Sequence, residues 1–400
     1  MNENKFVKWI LGSSSFHRAA ICTAVLAVLI AVGVVFLPQK LQGIDLVGVV
    51  RPTPPPWQGV LHVWQVNTWR VGRGSRTAVV QAAARRFETR NVGIYVELDN
   101  VTPEVLTRRL QEGQTPDVLL FPDNWAGMDS ESFLALDTSA LPALAAPFDA
   151  AFAADRTAVP WMAGGQVLLV NNALCRSAGI EPPAADQTWT TQALLEFAQK
   201  AATARRKKPA LGISGALGAW LPLAMQAADT QGLRQQSLLA ERPFSLGIDG
   251  AREPFASGRC AVLLGTQWEA ELMGRLAAKG KAFEYSMLPL PADTRACLNV
   301  QYAAAYDSAD EAKNSAAAIF ISTLLSSPVQ KTIAENAGCL AVVPNATDKP
   351  ADSDVDKLLR AQQANARAPL PWRTVDADRL AQALGGDRGA ALVLGQGFAN

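Results

Sequence analysis

Histidine is nearly absent from this 400-residue chain, which has only His17 and His62. A Ser-His-Asp triad or a histidine-rich metal centre therefore lacks its parts. Cysteine is sparse, at five, and no CxxC pair occurs, so neither a zinc ribbon nor a thioredoxin-like redox pair is supported. No phosphate-loop motif appears, and the nearest approach to G-x-S-x-G, Gly212-Ile213-Ser214-Gly215, runs into Ala216. Gly72-Arg73-Gly74 lacks a third glycine and reads as a tight turn from strand to helix. A basic stripe is missing too: net charge is +1, which gives nucleic acid no electrostatic footprint. No repeat recurs at a fixed period. Together these absences exclude the commonest enzyme chemistries and imply no cofactor and no resident metal.

One long apolar run is present. Ala19–Leu37 carries no charge over 19 residues, close to the roughly 20 needed to cross a bilayer as a helix. Lys5, Lys8 and Arg18 precede it and Lys40 follows, so the positive-inside bias keeps the N-terminus cytoplasmic and exports the rest. A cleavable signal would have a shorter apolar region followed by small residues. This run ends in Phe36-Leu37-Pro38-Gln39, and an uncleaved transmembrane helix is expected. Beyond it, Arg51-Pro52-Thr53-Pro54-Pro55-Pro56 predicts an extended spacer. Four cysteines remain outside the membrane, Cys175, Cys260, Cys297 and Cys339. Their spacing chooses among neither the three pairings nor free buried thiols.

The remainder alternates strands and helices. Val60–Val66 reads as a buried strand with His62 packed inside it, and Ser75–Asn91 as a helix with Val79, Val80, Ala83 and Phe87 on one face. A strand at Ile94–Leu98 follows. Thr102, Pro103 and Glu104 then signal a helix start, and Asp117–Phe121 is a third strand. This spacing implies βαβ units and a mostly parallel sheet. Ala158–Asn171 runs extended through Gly164-Gly165 into a second α/β region, with a helix over Thr190–Ala204. Later come strands at Cys260–Leu264 and Phe283–Leu288, a helix starting near Trp268, a stripe of Ala312, Ala316, Ile319, Phe320 and Leu324, and a helix near Ser327–Asn336.

Tryptophan is abundant, ten against four tyrosines. Trp69, Trp125, Trp161, Trp220 and Trp268 fall at predicted strand ends or in loops, as does Asn67 after the first strand. Ligands of open α/β sheets bind beyond the carboxyl ends of strands. An indole face stacks on a sugar ring while its N–H donates at the edge, although any one of these rings could equally fill core space.

Ordered landmarks from Val60 to Pro344 resemble the extracellular solute-binding proteins of ABC importers, the family that includes maltose- and other sugar-binding proteins. Phe87-Glu88 resembles the family's "F-E" segment, and Gly113-Gln114-Thr115-Pro116-Asp117 its "G-x-x-P-D" entry to strand three. Pro160–Asn171 looks like the first crossover between lobes, and Thr188-Trp189-Thr190 like the "T-W" helix start. Phe255–Val262 resembles "F-x-x-G-x-A-A-M", with Gly265-Thr266-Gln267-Trp268 near "G-x-W". Pro289-Leu290-Pro291 and Leu324–Gln330 fit "P-L-P" and "L-L-S-x-x-x-Q".

The resemblance implies an α/β, two-lobed periplasmic-binding-protein-like fold behind the transmembrane helix. It divides as residues 1–18 cytoplasmic, 19–38 spanning, 39–59 spacer, 60–160 lobe 1, 161–295 lobe 2, 296–325 the return to lobe 1, and 326–400 C-terminal helices mostly in lobe 2. It also implies that Asn124 and Trp125 face the ligand from lobe 1 and Trp268 from lobe 2. Maltose binders carry an acid in the first crossover where Gly164 stands here, which argues against maltose. The expected function is a membrane-anchored receptor that delivers a small solute, a carbohydrate first among classes, to an ABC permease. A membrane-tethered sensor or scaffold on the same fold is the alternative.

Overall fold

The computed structural model describes residues 57–123, 130–184, 187–204, 210–213, 221–222, 225, 255–347, 353–384 and 386–398. The transmembrane segment, nearly all of the spacer, Cys22, Asn124, Trp125 and Trp220 lie outside these residues. Among those described, no helix is long and apolar enough to cross a membrane.

Two sheets organise Pro55–Asn400, which is one compact unit. In lobe 1, β1 (Gly59–Val66), β2 (Ile94–Val101), β3 (Val118–Pro122), β4 (Ala158–Gly164) and β9 (Asn299–Ala305) line up in the order β2-β1-β3-β9-β4. In lobe 2, β5 (Gln166–Asn171), β6 (Leu211–Ile213), β7 (Val262–Thr266) and β8 (Tyr285–Leu288) form β6-β7-β5-β8. The chain crosses between lobes at Gly165 and again between β8 and β9.

The sequence predicted a mostly parallel sheet, and the observed sheets are mixed. β1 is parallel to β2 and β3, but β9 is antiparallel to both β3 and β4. The reason is topological: β3 and β4 run toward the crossover region and β9 returns from it. In lobe 2, β5 is antiparallel to β7 and β8, and only β6 with β7 is parallel.

Helix periodicity translated well. α1 (Arg76–Arg90) buries Val79, Val80, Ala83 and Phe87, and Phe87 meets Phe320 edge-on at 5.5 Å. α2 (Pro103–Gln111) begins where expected, with the Thr102 side chain accepting from the Val105 N–H. α3 (Ala146–Ala154) precedes β4, and α4 (Asn172–Ser177) and α5 (Thr191–Ala204) follow β5. α6 (Gln267–Ala278) follows β7. α7 (Glu311–Leu324) buries Ala316, Phe320 and Leu324 but leaves Ile319 exposed. His62 departs from expectation. Its position in β1 faces solvent, where its imidazole lies 3.4 Å from Glu97, because the interior side of that strand is taken by Leu61 and Val63.

The C-terminal quarter divides between the lobes. α8 (Ser327–Asn336) packs on α1 in lobe 1. α9 (Asp354–Asn365) packs on α6 and β5 of lobe 2 and also reaches α3 of lobe 1. The chain then straps across lobe 1: the Tyr302 hydroxyl donates to the Pro369 carbonyl, and Trp372 stacks on Phe121 at 4.3 Å and Phe133 at 4.8 Å. α10 (Ala377–Leu384) and α11 (Arg388–Gln396) pack on each other beyond it. All four cysteines among the described residues are free and buried. Burial pushes the Cys297 thiol up to about 12 and that of Cys339 to about 11.

Candidate functional site

The carboxyl ends of β1, β3 and β4 converge where lobe 1 meets the N-terminus of α6, and the sequence builds this junction with local devices. Thr266 caps α6 in a capping box: its side chain accepts from the Trp268 N–H at 3.3 Å, and Glu269 accepts from the Thr266 N–H at 2.9 Å. The box fixes the first turn, so Gln267 and Trp268 project toward lobe 1.

From lobe 1, the loop after β1 brings Asn67, Trp69, Arg70 and Gly72 to meet them. Arg76, fully enclosed at the start of α1, donates to Asn67 Oδ1 at 2.5 Å and to the Trp69 carbonyl at 2.7 Å, and its guanidinium lies 4.2 Å from the Trp69 ring centre. Burial lowers Arg76 to about 10, opposed by the nearby Cys339, so it stays charged at neutral pH. Lobe 2 closes onto this loop. Gln267 Nε2 donates to the Arg70 carbonyl at 3.1 Å, and the Arg70 guanidinium stacks on Trp268 at 4.7 Å. Arg275 Nη1 donates to the Gly72 carbonyl at 3.3 Å.

Glycine is required twice at this contact. A Cβ on Gly72 would lie 2.6 Å from the Gly338 carbonyl oxygen. One on Gly164 would lie 2.8 Å from Gln267 Nε2 and 3.1 Å from the Trp69 ring. Gly164 thus lies where Trp69 and Gln267 meet.

Polar atoms without partners collect around the junction. Gln65, Gln267 and Gln301 are 0% exposed, and the Oε1 of each has no hydrogen-bond partner among the described residues, nor does Trp69 Nε1. Their amide nitrogens are spent on Asn67 Oδ1, the Arg70 carbonyl and the Val66 carbonyl. Buried polar groups are nearly always paired in folded proteins, so these three acceptors and one donor, part of a wider set that includes Trp161 Nε1, Asn172 Oδ1 and two Arg373 nitrogens, are groups that a hydrogen-bonding solute or ordered water would complete.

The structure brings Trp69 and Trp268 together with Gly164 between the lobes. Asn67 is there as well, but its side-chain oxygen is engaged by Gln65 and Arg76, which makes it a hub that shapes the loop. Trp161 is enclosed in the strand, and its indole N–H, like that of Trp69, has no hydrogen-bond partner among the described residues. It is 0% exposed in β4, at a register irregularity between Pro160 and Met162, and its carbonyl accepts from Gln330 Nε2 at 2.9 Å. β4 is covered along its whole length, so a large side chain there packs as core. Sequence reading missed Gln65, Arg70, Arg76, Gln267 and Gln301. The T-x-x-E box at 266–269 was the available signal for Gln267.

With this geometry established, comparison with known proteins gives three findings. The chain matches the bacterial extracellular solute-binding protein family over residues 73–331, well over half its length. No curated protein matches it. Among solved structures, the cyclic α-maltosyl-1,6-maltose binding protein from Arthrobacter globiformis superposes with a TM-score of 0.59 at 17% identity, covering 85% of this chain and 98% of that one. The GacH receptor of Streptomyces glaucescens, solved unliganded and with acarbose, gives 0.58 at 19%, covering 85% and 97%. UgpB from Mycobacterium tuberculosis, in complex with glycerophosphocholine, gives 0.58 at 17%, covering 85% and 97%. At these identities the likeness establishes the two-lobed fold.

Proposed function

Because the chain belongs to the bacterial extracellular solute-binding protein family, the solute receptors of ABC importers, we propose that it is a membrane-anchored receptor that captures a carbohydrate outside the cytoplasm and hands it to an ABC permease. The observation that carries the reading is the set of orphaned Gln65, Gln267 and Gln301 oxygens and the Trp69 N–H, on side chains that belong or bond to the end of β1 and the loop after it, where Arg70 of that loop also stacks on Trp268. A sugar hydroxyl donates and accepts at once, which suits neutral amide oxygens, and its ring C–H faces suit indole. Arg70 and Arg76 bring two cations to the cluster, and the nearby acid Glu271 is paired with Arg73, which suits a neutral or weakly acidic sugar better than a polyamine. No covalent step is needed: contacts shared by both lobes favour the closed form, and that form docks on the permease.

Thermal unfolding against sugars, oligosaccharides, glycerophosphodiesters, amino acids and polyamines tests this. Binding to the folded state raises the melting temperature, by about 2.7 kcal/mol of added stability at one hundred times Kd. One sugar class is expected to give a shift that Trp69→Ala and Trp268→Ala each abolish. A shift with a non-carbohydrate alone would overturn the cargo, and silence throughout would move the reading to a tethered sensor or scaffold.

A further inference from the structure

Among the described residues, Arg73 joins a lobe-1 loop to two acids, one on α6 of lobe 2 and one on α9. It stands in the loop between β1 and α1, where its backbone N–H donates to the Ala337 carbonyl at 2.8 Å and so belongs firmly to lobe 1. Its side chain leaves that lobe. Nη2 lies 2.6 Å from Asp356 Oδ1 on α9, and Nε lies 3.3 Å from Glu271 Oε1 on α6. Both acids are largely shielded, with side chains 15% and 14% exposed. Water therefore screens these pairs less than it would at an open surface.

We infer that Arg73 is a latch: it holds the lobes together in the solute-free protein and thereby sets solute affinity without touching the solute. The inference rests on the reading of the junction as the solute cleft. Three features carry it. The guanidinium hydrogen-bonds Asp356 on α9 through Nη2 and stands in ion-pair range of Glu271 on α6 through Nε, without a hydrogen bond to it, which sets one lobe-1 cation against two separate helices. Arg275 of α6 reaches back to the Gly72 carbonyl beside it, so the same patch is bonded in both directions. The Arg73–Asp356 pair also borders a cavity of about 210 Å³, with Glu335, Asn345, Arg360 and Gln363 on its other walls. The side chain has room to let go, so the pair is a switchable contact rather than one jammed by packing.

A latch of this kind fixes the fraction of protein already closed before solute arrives. Apparent Kd equals the intrinsic value divided by that fraction, so loosening the latch weakens affinity with every solute contact intact.

The test reads lobe separation directly, with no solute present. Arg85 on lobe 1 and Lys279 on lobe 2 are exposed, and the described cysteines are buried, so Arg85→Cys with Lys279→Cys takes a spin-label pair in the folded full chain. Pulsed dipolar spectroscopy is expected to give a short interlobe distance in the parent and a longer population in Arg73→Ala. Glu271→Gln combined with Asp356→Asn should give the same lengthening from the acid side, and Arg73→Lys, which keeps the charge but loses the fork, an intermediate distribution. An unchanged distribution in both Arg73→Ala and the Glu271→Gln, Asp356→Asn variant overturns the latch. Because no solute enters the measurement, that outcome is separate from failure of the carbohydrate reading, which the thermal panel decides alone.

Discussion

Gly164 and Gly165 show how much a single missing side chain decides. Gly164 leaves space that Trp69 and Gln267 occupy, while a Cβ on Gly165 would lie 2.3 Å from Leu359 and 2.8 Å from Gln362 of α9. Gln362 is no passive neighbour, since its Oε1 accepts from the Gln166 N–H at 2.9 Å and its Nε2 donates to the Gln166 carbonyl. Gly165→Ala must therefore displace the Leu359 and Gln362 side chains of α9, and with them the Gln362 bonds to Gln166. Overpacking of this kind costs about 1–3 kcal/mol, and the expected outcome is a lower urea midpoint with an unchanged slope. A midpoint equal to the parent's would mean that α9 moves freely over the crossover. The glycine pair was legible in the sequence as a crossover, but the reason for each glycine was not, because Leu359 and Gln362 arrive from nearly two hundred residues away. The same distance problem separates Trp69 from Trp161. Both follow or enter predicted strands, and only the covering of β4 by other elements assigns one to the junction and the other to the core.

At the scale of elements, helices with a clean apolar stripe were legible nearly to the residue, since a stripe at helical spacing needs only local sequence to be seen. Sheet direction was not, because it depends on which strands leave a lobe and which return. The strap of residues 366–373 was equally hidden: its anchors include one indole stacked on Phe121 and Phe133, one carbonyl taken by Tyr302, a buried ion pair of Arg373 with Asp123 and backbone bonds of Arg367 to Ala296 and Leu298, none of them periodic. α6 carries an element-scale consequence in its acid Glu271. Burial raises Glu271 above its ordinary 4.5, Arg73 opposes that shift, Asp356 on α9 adds to it, and Arg275 on α6 opposes it. The Tyr285 hydroxyl of β8, itself raised by burial, stays neutral. Since the folded value lies above the unfolded one, ionised Glu271 opposes folding above its folded pKa, and that cost disappears as pH falls toward 4.5. Protonation also removes one of the two charges holding Arg73. Acidification through this window should thus lengthen the interlobe distance with no loss of melting temperature attributable to Glu271. In Glu271→Gln the distance should start longer and stay level over the same window. A parent distance that does not respond to pH would detach Glu271 from lobe closure.

At the scale of the whole molecule, the proposed receptor would join a two-lobed solute site to a membrane anchor, and the two parts of that proposal can be tested apart. A helix rises about 1.5 Å per residue, so the 19 uncharged residues of Ala19–Leu37 reach nearly across a hydrocarbon core about 30 Å thick. Lys5, Lys8 and Arg18 before that run would orient a spanning helix with the N-terminus inside. Pro55–Asn400 meanwhile contains both sheets and both crossovers within one compact unit. The contacts described for Trp69, Gly164, Gln267 and Trp268 all come from within that unit. If the proposed anchor holds, the full chain stays with the membrane fraction through an alkaline carbonate wash, because a spanning helix is not removed by breaking ionic contacts. A chain beginning at Trp57 should appear in the soluble fraction and keep the parent's thermal response to the same sugar. Release of the full chain by the wash would replace the spanning helix with peripheral attachment or cleavage. Loss of sugar binding in the shortened chain would show instead that the N-terminal segment supports the receptor's fold as well as its location.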